Sequence, residues 1–281
     1  MGYETLYMPD HFDKQFSPLA ALTAAAGATT RLRIGSLVFD NDYRHPVVLA
    51  REAATLDLLS EGRLDLGLGA GWLVADYEQS GIHFEPAGTR IARLEEALEI
   101  FKGLFSGEAF SFSGRHYTVR AMEGFPEPVQ KPHPPFLLGG GGRKMLALAA
   151  READIVHINY DLREGRINPQ LIKTGMADRT AEKIGWVKEA AGDRFSRLEL
   201  AITVFVAHVG EDRNEFAATV GVGMEAEPEE VLEMPHFLIG TIEQITEQLL
   251  ERRERYGFSN VVLPGAMAEA LQPVVERLTG T

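Results

Sequence analysis

At 281 residues, with 45% hydrophobic and 25% charged side chains, the chain has the make-up of a globular protein able to bury a large core. Asp and Glu total 41 against 28 Lys and Arg, a net charge of -13 with no basic run, which disfavours nucleic acid and anionic membrane as partners because both bind a positive face. Cysteine is absent, which excludes a disulfide framework and a thiolate metal site or nucleophile.

No stretch approaches the roughly 18 apolar residues of a membrane span, and the N-terminus lacks the basic-then-apolar layout of a signal peptide. The expectation is one domain over residues 1–281, cytoplasmic, with no membrane partner.

Thr5 to Met8 reads as a short strand reaching Pro9-Asp10-His11-Phe12. Ser17-Pro18 then predicts an N-cap with proline in the first turn of a helix running from Ala20 to Ala28. Leu32 to Phe39 is the next strand, ending in the polar run Asp40 to Pro46. Pro46 opens a helix with Leu49, Ala53 and Leu56 on one face. Gly62 closes it and leads into a central strand, where Leu64, Leu66 and Leu68 alternate with Gly67 and Gly69 before Gly71 and Trp72. Such glycines let a strand end pass close to another backbone or a flat ligand. A longer helix follows, carrying Ile91, Leu94, Leu98 and Phe101.

Residues 106–135 break this rhythm. Phe110, Phe112, Tyr117 and Val119 flank Ser113-Gly114-Arg115 as a hairpin insertion, and five prolines between Pro126 and Pro135 dictate an extended connection. Phe136-Leu137-Leu138 then enters Gly139-Gly140-Gly141-Gly142, with a helix over Lys144–Arg151. Asp154–Ile158 is a strand, residues 161–178 read as an irregular mobile loop, and Ala181–Ala190 is a helix. Leu198–Val206 is a strand of β-branched residues, and Asp212–Leu232 reads as short helices. Thr241 with Gln244 has the form of a capping box, Val261–Leu263 is the last strand, and Leu271, Val274 and Leu278 mark the final helix.

Strands alternating with helices predict a parallel sheet, and a closed (β/α)8 TIM barrel is favoured over an open dinucleotide-binding sheet. The open sheet would carry Gly-x-Gly-x-x-Gly after its first strand, and the glycines at 67, 69 and 71 do not match.

Pro9-Asp10-His11-Phe12, Ile34-Gly35-Ser36-Leu37-Val38, Tyr43-Arg44-His45-Pro46, Gly67 to Trp72 and Leu138 to Gly142, in this order and spacing, resemble the bacterial luciferase-like monooxygenase superfamily. More narrowly, the chain is similar to its coenzyme F420-dependent oxidoreductases. The resemblance implies a barrel of the luciferase-like type. Family members usually carry a further strand and helix before the segment matching Gly2-Tyr3-Glu4-Thr5, so the expectation is a barrel lacking its usual first βα unit.

What the resemblance implies for the site begins with His11, which would line the substrate side of the ring and exchange protons beside Asp10. It places a non-proline cis peptide at Leu37-Val38, supporting the middle of the isoalloxazine or deazaflavin ring. Asp40, Asn41 and Arg44 follow on the same side, either as a solvated loop or against the substrate or the ring edge. Ala70, Gly71 and Trp72 stand where some sugar phosphate dehydrogenases of the superfamily have a catalytic glutamate. Trp72 cannot donate a carboxyl proton, so a ring-stacking or pocket-wall role is expected, with a plain core tryptophan as the alternative. Gly139, Gly140, Gly141 and Gly142 would hold the phosphate of the cofactor tail at a helix N-terminus, with Arg143 or Lys144 as counter-charge.

The eight histidines show no metal-ligand spacing, and no nucleophile elbow or phosphate-loop motif is present. The resemblance implies hydride transfer between coenzyme F420 and a small organic substrate. The alternatives are an FMN-dependent monooxygenase and a non-catalytic cofactor-binding or assembly protein, and a homodimer is expected because such relatives are commonly dimers.

Overall fold

The computed structural model describes residues 1–279. They form two compact units, Glu4–Gly139 with Glu152–Ile155, and Met1–Tyr3 with Gly140–Arg151 and the chain from Val156 onward.

The first unit is built on parallel strands. In chain order its elements are β1 (Thr5–Met8), α1 (Pro18–Ala28), β2 (Arg33–Ser36), β3 (Phe39–Asp40), α2 (Pro46–Leu59), β4 (Leu64–Gly69), α3 (Val74–Ser80), α4 (Ala87–Phe105), β5 (Ala109–Ser113), β6 (Thr118–Glu123) and β7 (Phe136–Gly140). β1 pairs β2, β2 pairs β4 and β4 pairs β7, all parallel, with Leu6 opposite Ile34, Ile34 opposite Leu64 and Leu66 opposite Phe136. Parallel neighbours require crossover connections, which α1 and α2 supply. Consequently the segments after β1, β2 and β4 emerge at one edge of the sheet. Every residue of β4 is buried, and Phe101 of α4 packs against the buried rings of Phe105 and Phe136.

Pro18 and Pro46 start their helices as expected, but the Ser17 side chain makes no cap. His45 does cap α2, accepting the Val47 N–H at 3.3 Å. The strand expected over Leu32–Phe39 is split into β2 and β3, and the Leu37-Val38 bond between them is cis. β5 and β6 form the antiparallel hairpin. Its turn is tied down by Glu96 of α4, whose carboxylate accepts the N–H groups of Arg115, His116 and Tyr117 at 2.8, 2.9 and 3.1 Å.

The second unit continues with α5 (Arg143–Glu152), β8 (Ile155–Ile158), α6 (Pro169–Lys173), α7 (Ala177–Ala191), β9 (Glu199–Thr203), β10 (Val206–Val209), α8 (Arg213–Met224), α9 (Pro228–Glu233), β11 (Phe237–Gly240), α10 (Ile242–Tyr256), β12 (Phe258–Val262) and α11 (Ala268–Leu278). β9 lies between β8 and β12. Residues 161–178 are not a bare loop: they contain a 3-10 turn at Leu162–Glu164 and α6, capped by Asn168, whose side chain accepts the Leu171 N–H at 2.8 Å. The single strand expected over Leu198–Val206 is instead β9 and β10, and β10 pairs in parallel with β11, a strand the sequence pattern does not reveal. The capping box at Thr241 is present, with reciprocal bonds of 3.3 and 2.9 Å to Gln244.

No helix among the described residues is long and apolar enough to cross a membrane.

Candidate active site

The glycines of the central strand serve close backbone packing. A Cβ on Gly67 would lie 1.9 Å from the Ser36 carbonyl oxygen, and one on Gly69 would lie 2.4 Å from Val38 Cγ2. β4 therefore presses against the end of β2 and the cis bond, and Leu37 and Val38 are held there half-buried.

Beyond the strand ends, His11 and Trp72 meet. Their rings are edge to face at 5.9 Å, both half-buried. His11 Nδ1 lies 2.6 Å from Asp76 Oδ2, in the first turn of α3. The same carboxylate accepts the Tyr43 hydroxyl at 3.1 Å and the Phe12 N–H at 3.3 Å. Burial and the surrounding carboxylates push the Tyr43 phenol far above its ordinary range, so it is a donor throughout the physiological range.

Asp10, expected to share proton work with His11, is committed elsewhere. Arg44 donates to its two oxygens at 2.6 and 3.2 Å, and the Asp40 N–H donates at 3.1 Å. A buried carboxylate so paired anchors Arg44 and the start of the following loop. Asp40 is also buried. Tyr77 donates to it at 3.0 Å, and the Asp42 N–H at 2.9 Å. Burial, with Asp42 and Asp10 nearby, pushes its carboxyl up to about 7. Asp42 is held by the Tyr77 hydroxyl at 3.1 Å and by Arg93 at 2.8 Å.

The Ala70-Gly71 turn is fixed by Arg90, which donates to the Ala70 carbonyl at 2.9 Å and also to that of Gly71, while its guanidinium covers the Phe84 ring at 4.2 Å. Gly71 has φ +72°, and a Cβ there would strike the Tyr77 hydroxyl and Asp40. Its absence of a side chain is needed by this network. Asn41 donates to the Tyr117 hydroxyl at 3.2 Å, joining the hairpin to this edge. The sheet edge thus brings together His11, Asp10, Leu37, Val38, Asp40, Ala70, Gly71 and Trp72, all in the first unit. Asp76, Tyr43 and Tyr77 complete the network; the sequence carries Tyr43 within the motif Tyr43-Arg44-His45-Pro46, whereas nothing in it singles out Asp76 or Tyr77.

The four-glycine stretch behaves differently from expectation. Gly139 and Gly140 belong to β7 and do not form a turn. In the second unit, a Cβ on Gly141 would lie 2.0 Å from the Tyr160 carbonyl oxygen, and one on Gly142 would lie 3.6 Å from the Asp161 carboxylate. Close backbone approach accounts for Gly141, and an acid faces Gly142. Arg143 is exposed and paired with Glu189 at 2.8 Å. In the same unit His157 bonds Thr203 Oγ1, and His236 bonds the Thr203 carbonyl, each at 2.8 Å. Burial pushes these imidazoles down to about 4 and about 3, so both are neutral packing groups. Among the described residues no three His, Asp or Glu side chains are grouped so as to hold a metal ion.

Parallel strands alternating with helices, with polar residues gathered where the strands end, define a protein of the α/β barrel class. The luciferase-like monooxygenase family model matches residues 1–260, and the chain belongs to that family. It is 32% identical over 162 residues to an F420-dependent glucose-6-phosphate dehydrogenase of Microbacterium testaceum, covering 55% of this chain and 47% of that protein. Against an FMNH(2)-dependent dimethylsulfone monooxygenase of Pseudomonas putida it is 24% identical over 219 residues, 78% of this chain and 56% of the relative. The chain spans about half the length of the curated relatives it matches. Among solved structures, the monooxygenase RslO1 from Streptomyces bottropensis superposes with TM-score 0.77 at 20% identity, covering 99% of this chain and 88% of that one. The coenzyme F420 dependent tetrahydromethanopterin reductase of Methanopyrus kandleri superposes with TM-score 0.74 at 18% identity, covering 99% and 89%. The fold is that of the luciferase-like TIM barrels.

Proposed function

We propose that the protein binds the deazaflavin coenzyme F420 and transfers hydride to or from a small organic substrate. One observation carries this reading. At the strand-end edge the acids Asp10, Asp40, Asp42 and Asp76 are each engaged by partners, while His11 Nε2 has no partner among the described residues. What the edge offers a ligand is one imidazole nitrogen beside the half-buried Trp72, with half-buried Leu37 and Val38 at the end of the neighbouring strand. That combination fits a planar redox ring, which needs a flat apolar seat and a proton-exchanging group more than fixed charge.

The bound deazaflavin would supply hydride exchange. Leu37, Val38 and Trp72 would seat it and exclude water, and the Arg90 clamp on the Ala70 and Gly71 carbonyls holds the turn that leads to Trp72. His11 Nε2 gives or takes the proton that accompanies the hydride. Trp72 replaces the acid of the sugar phosphate dehydrogenases, so the substrate differs from theirs. The similarity to the dimethylsulfone monooxygenase over 78% of the chain supports a second reading, reduced FMN with oxygen on the same seat.

Titrating the purified chain with coenzyme F420 and with FMN separates them. Saturable quenching of F420 fluorescence, weakened about tenfold or more by Trp72→Ala, is the expected result. Binding of FMN alone, with FMN-dependent oxygen consumption, replaces this reading by the second, and binding of neither removes both.

A further inference from the structure

We infer that Asp76 is the positioning residue for His11, holding its imidazole in the tautomer with the proton on Nδ1 so that Nε2 stands ready to accept one. The inference rests on His11 as the proton-handling group of the proposed function. Asp76 is 3% exposed, and its Oδ2 lies 2.6 Å from His11 Nδ1. A carboxylate has no proton to give, so Nδ1 is the donor, and a neutral imidazole then carries a lone pair on Nε2.

Two further contacts make the arrangement specific. The Tyr43 hydroxyl donates to the same Oδ2 at 3.1 Å, and because that phenol stays protonated it keeps the carboxylate an acceptor. The Phe12 N–H donates to Oδ1 at 3.3 Å, so Asp76 holds the backbone next to His11 as well as its ring. Trp72, edge to face at 5.9 Å, borders the ring. When a substrate X–H group gives its proton to Nε2, the bonding pair stays on X and the new imidazolium lies against the Asp76 carboxylate. The charge formed on His11 is thereby balanced where it forms. Asp76 touches neither substrate nor cofactor in this scheme; it acts through His11.

The tautomer can be read directly on the full chain without ligand. Histidine labelled with 15N is observed by long-range proton–nitrogen correlation at about pH 9, above the ordinary imidazole range. His11→Gln identifies the His11 signals among the eight histidines by their loss. The wild type is expected to show His11 protonated on Nδ1. Asp76→Ala should change the tautomer ratio toward Nε2–H by about tenfold or more, the equivalent of losing a hydrogen bond to a charged acceptor. Tyr43→Phe, which leaves Asp76 in place, should keep the Nδ1–H form. Should the alanine variant fail to fold, Asp76→Asn, of equal volume, decides the matter by a reduced Nδ1–H population. A wild-type ring protonated on Nε2, or a tautomer ratio unchanged by loss of the carboxylate, overturns the inference. Failure to bind F420 or FMN would instead remove the functional reading and leave this result standing.

Discussion

The buried carboxyl of Asp40 makes stability depend on pH in a direction opposite to that of most surface acids. Its pKa is pushed from 3.8 to about 7, chiefly by burial at 5% exposure. Between about pH 4 and about pH 7 the folded chain therefore holds a proton that the unfolded chain has lost, and stability falls as pH rises through that window. Above it both states are ionised and this contribution stops changing. At 1.36 kcal/mol per pH unit the whole rise corresponds to about 4 kcal/mol, of which about 3 kcal/mol falls between about pH 5 and about pH 8.

Asp40→Asn removes the titration while keeping the shape. The amide oxygen can still take the Asp42 N–H, and the amide nitrogen can donate to the Tyr77 hydroxyl, which remains free to donate to Asp42. Urea unfolding of both proteins at about pH 5 and about pH 8 isolates the effect, because other groups cancel in the difference. The variant should gain about 3 kcal/mol on the wild type between the two pH values. A difference that stays constant within about 0.5 kcal/mol would refute the reasoning, since it would mean that Asp40 ionises alike in both states.

Gly67→Ala should destabilise by about 3 kcal/mol or more in urea unfolding, because its Cβ meets the Ser36 carbonyl at 1.9 Å, a backbone atom inside the sheet that cannot swing aside. Gly27→Ala is its control: in α1 with nothing within 4 Å, it should stabilise by about 0.5 to 1 kcal/mol. Arg44→Met leaves the buried Asp10 carboxylate without its paired guanidinium and should cost about 3 to 5 kcal/mol; a loss near that of a surface ion pair would show Asp10 to be solvated. Glu96→Gln should speed amide hydrogen exchange at residues 115–117 by about tenfold, with the rest of α4 unaffected, because a neutral amide holds three N–H donors more weakly than a carboxylate.

Fold class and the place of His11 at the strand-end edge were legible in the chain because each rests on a local signal. Proline at helix starts, glycine at helix ends and alternating leucines in β4 state the strand–helix alternation residue by residue. His11 was legible because a parallel sheet puts the residue after a strand at its working edge. β11 was hidden for the opposite reason: four apolar residues, Phe237–Gly240, are too few to mark a strand until β10 supplies the pairing.

The glycines show the same division. The sequence announces that Gly67, Gly69 and Gly141 lack a Cβ, but a close backbone, a flat ligand and a phosphate all ask for that, and only the approach of Ser36, Val38 and Tyr160 identifies backbone and side-chain packing as its reason here. Which acid meets which base was equally beyond a linear reading. Asp10 is adjacent to His11 in the chain, yet it turns to Arg44, and the carboxylate that reaches the imidazole is Asp76, 65 residues away. Periodicity is a property of neighbours along the chain and survives in the sequence. Hydrogen-bond pairing between strand-end loops depends on sheet register, and exists only once the strands have paired.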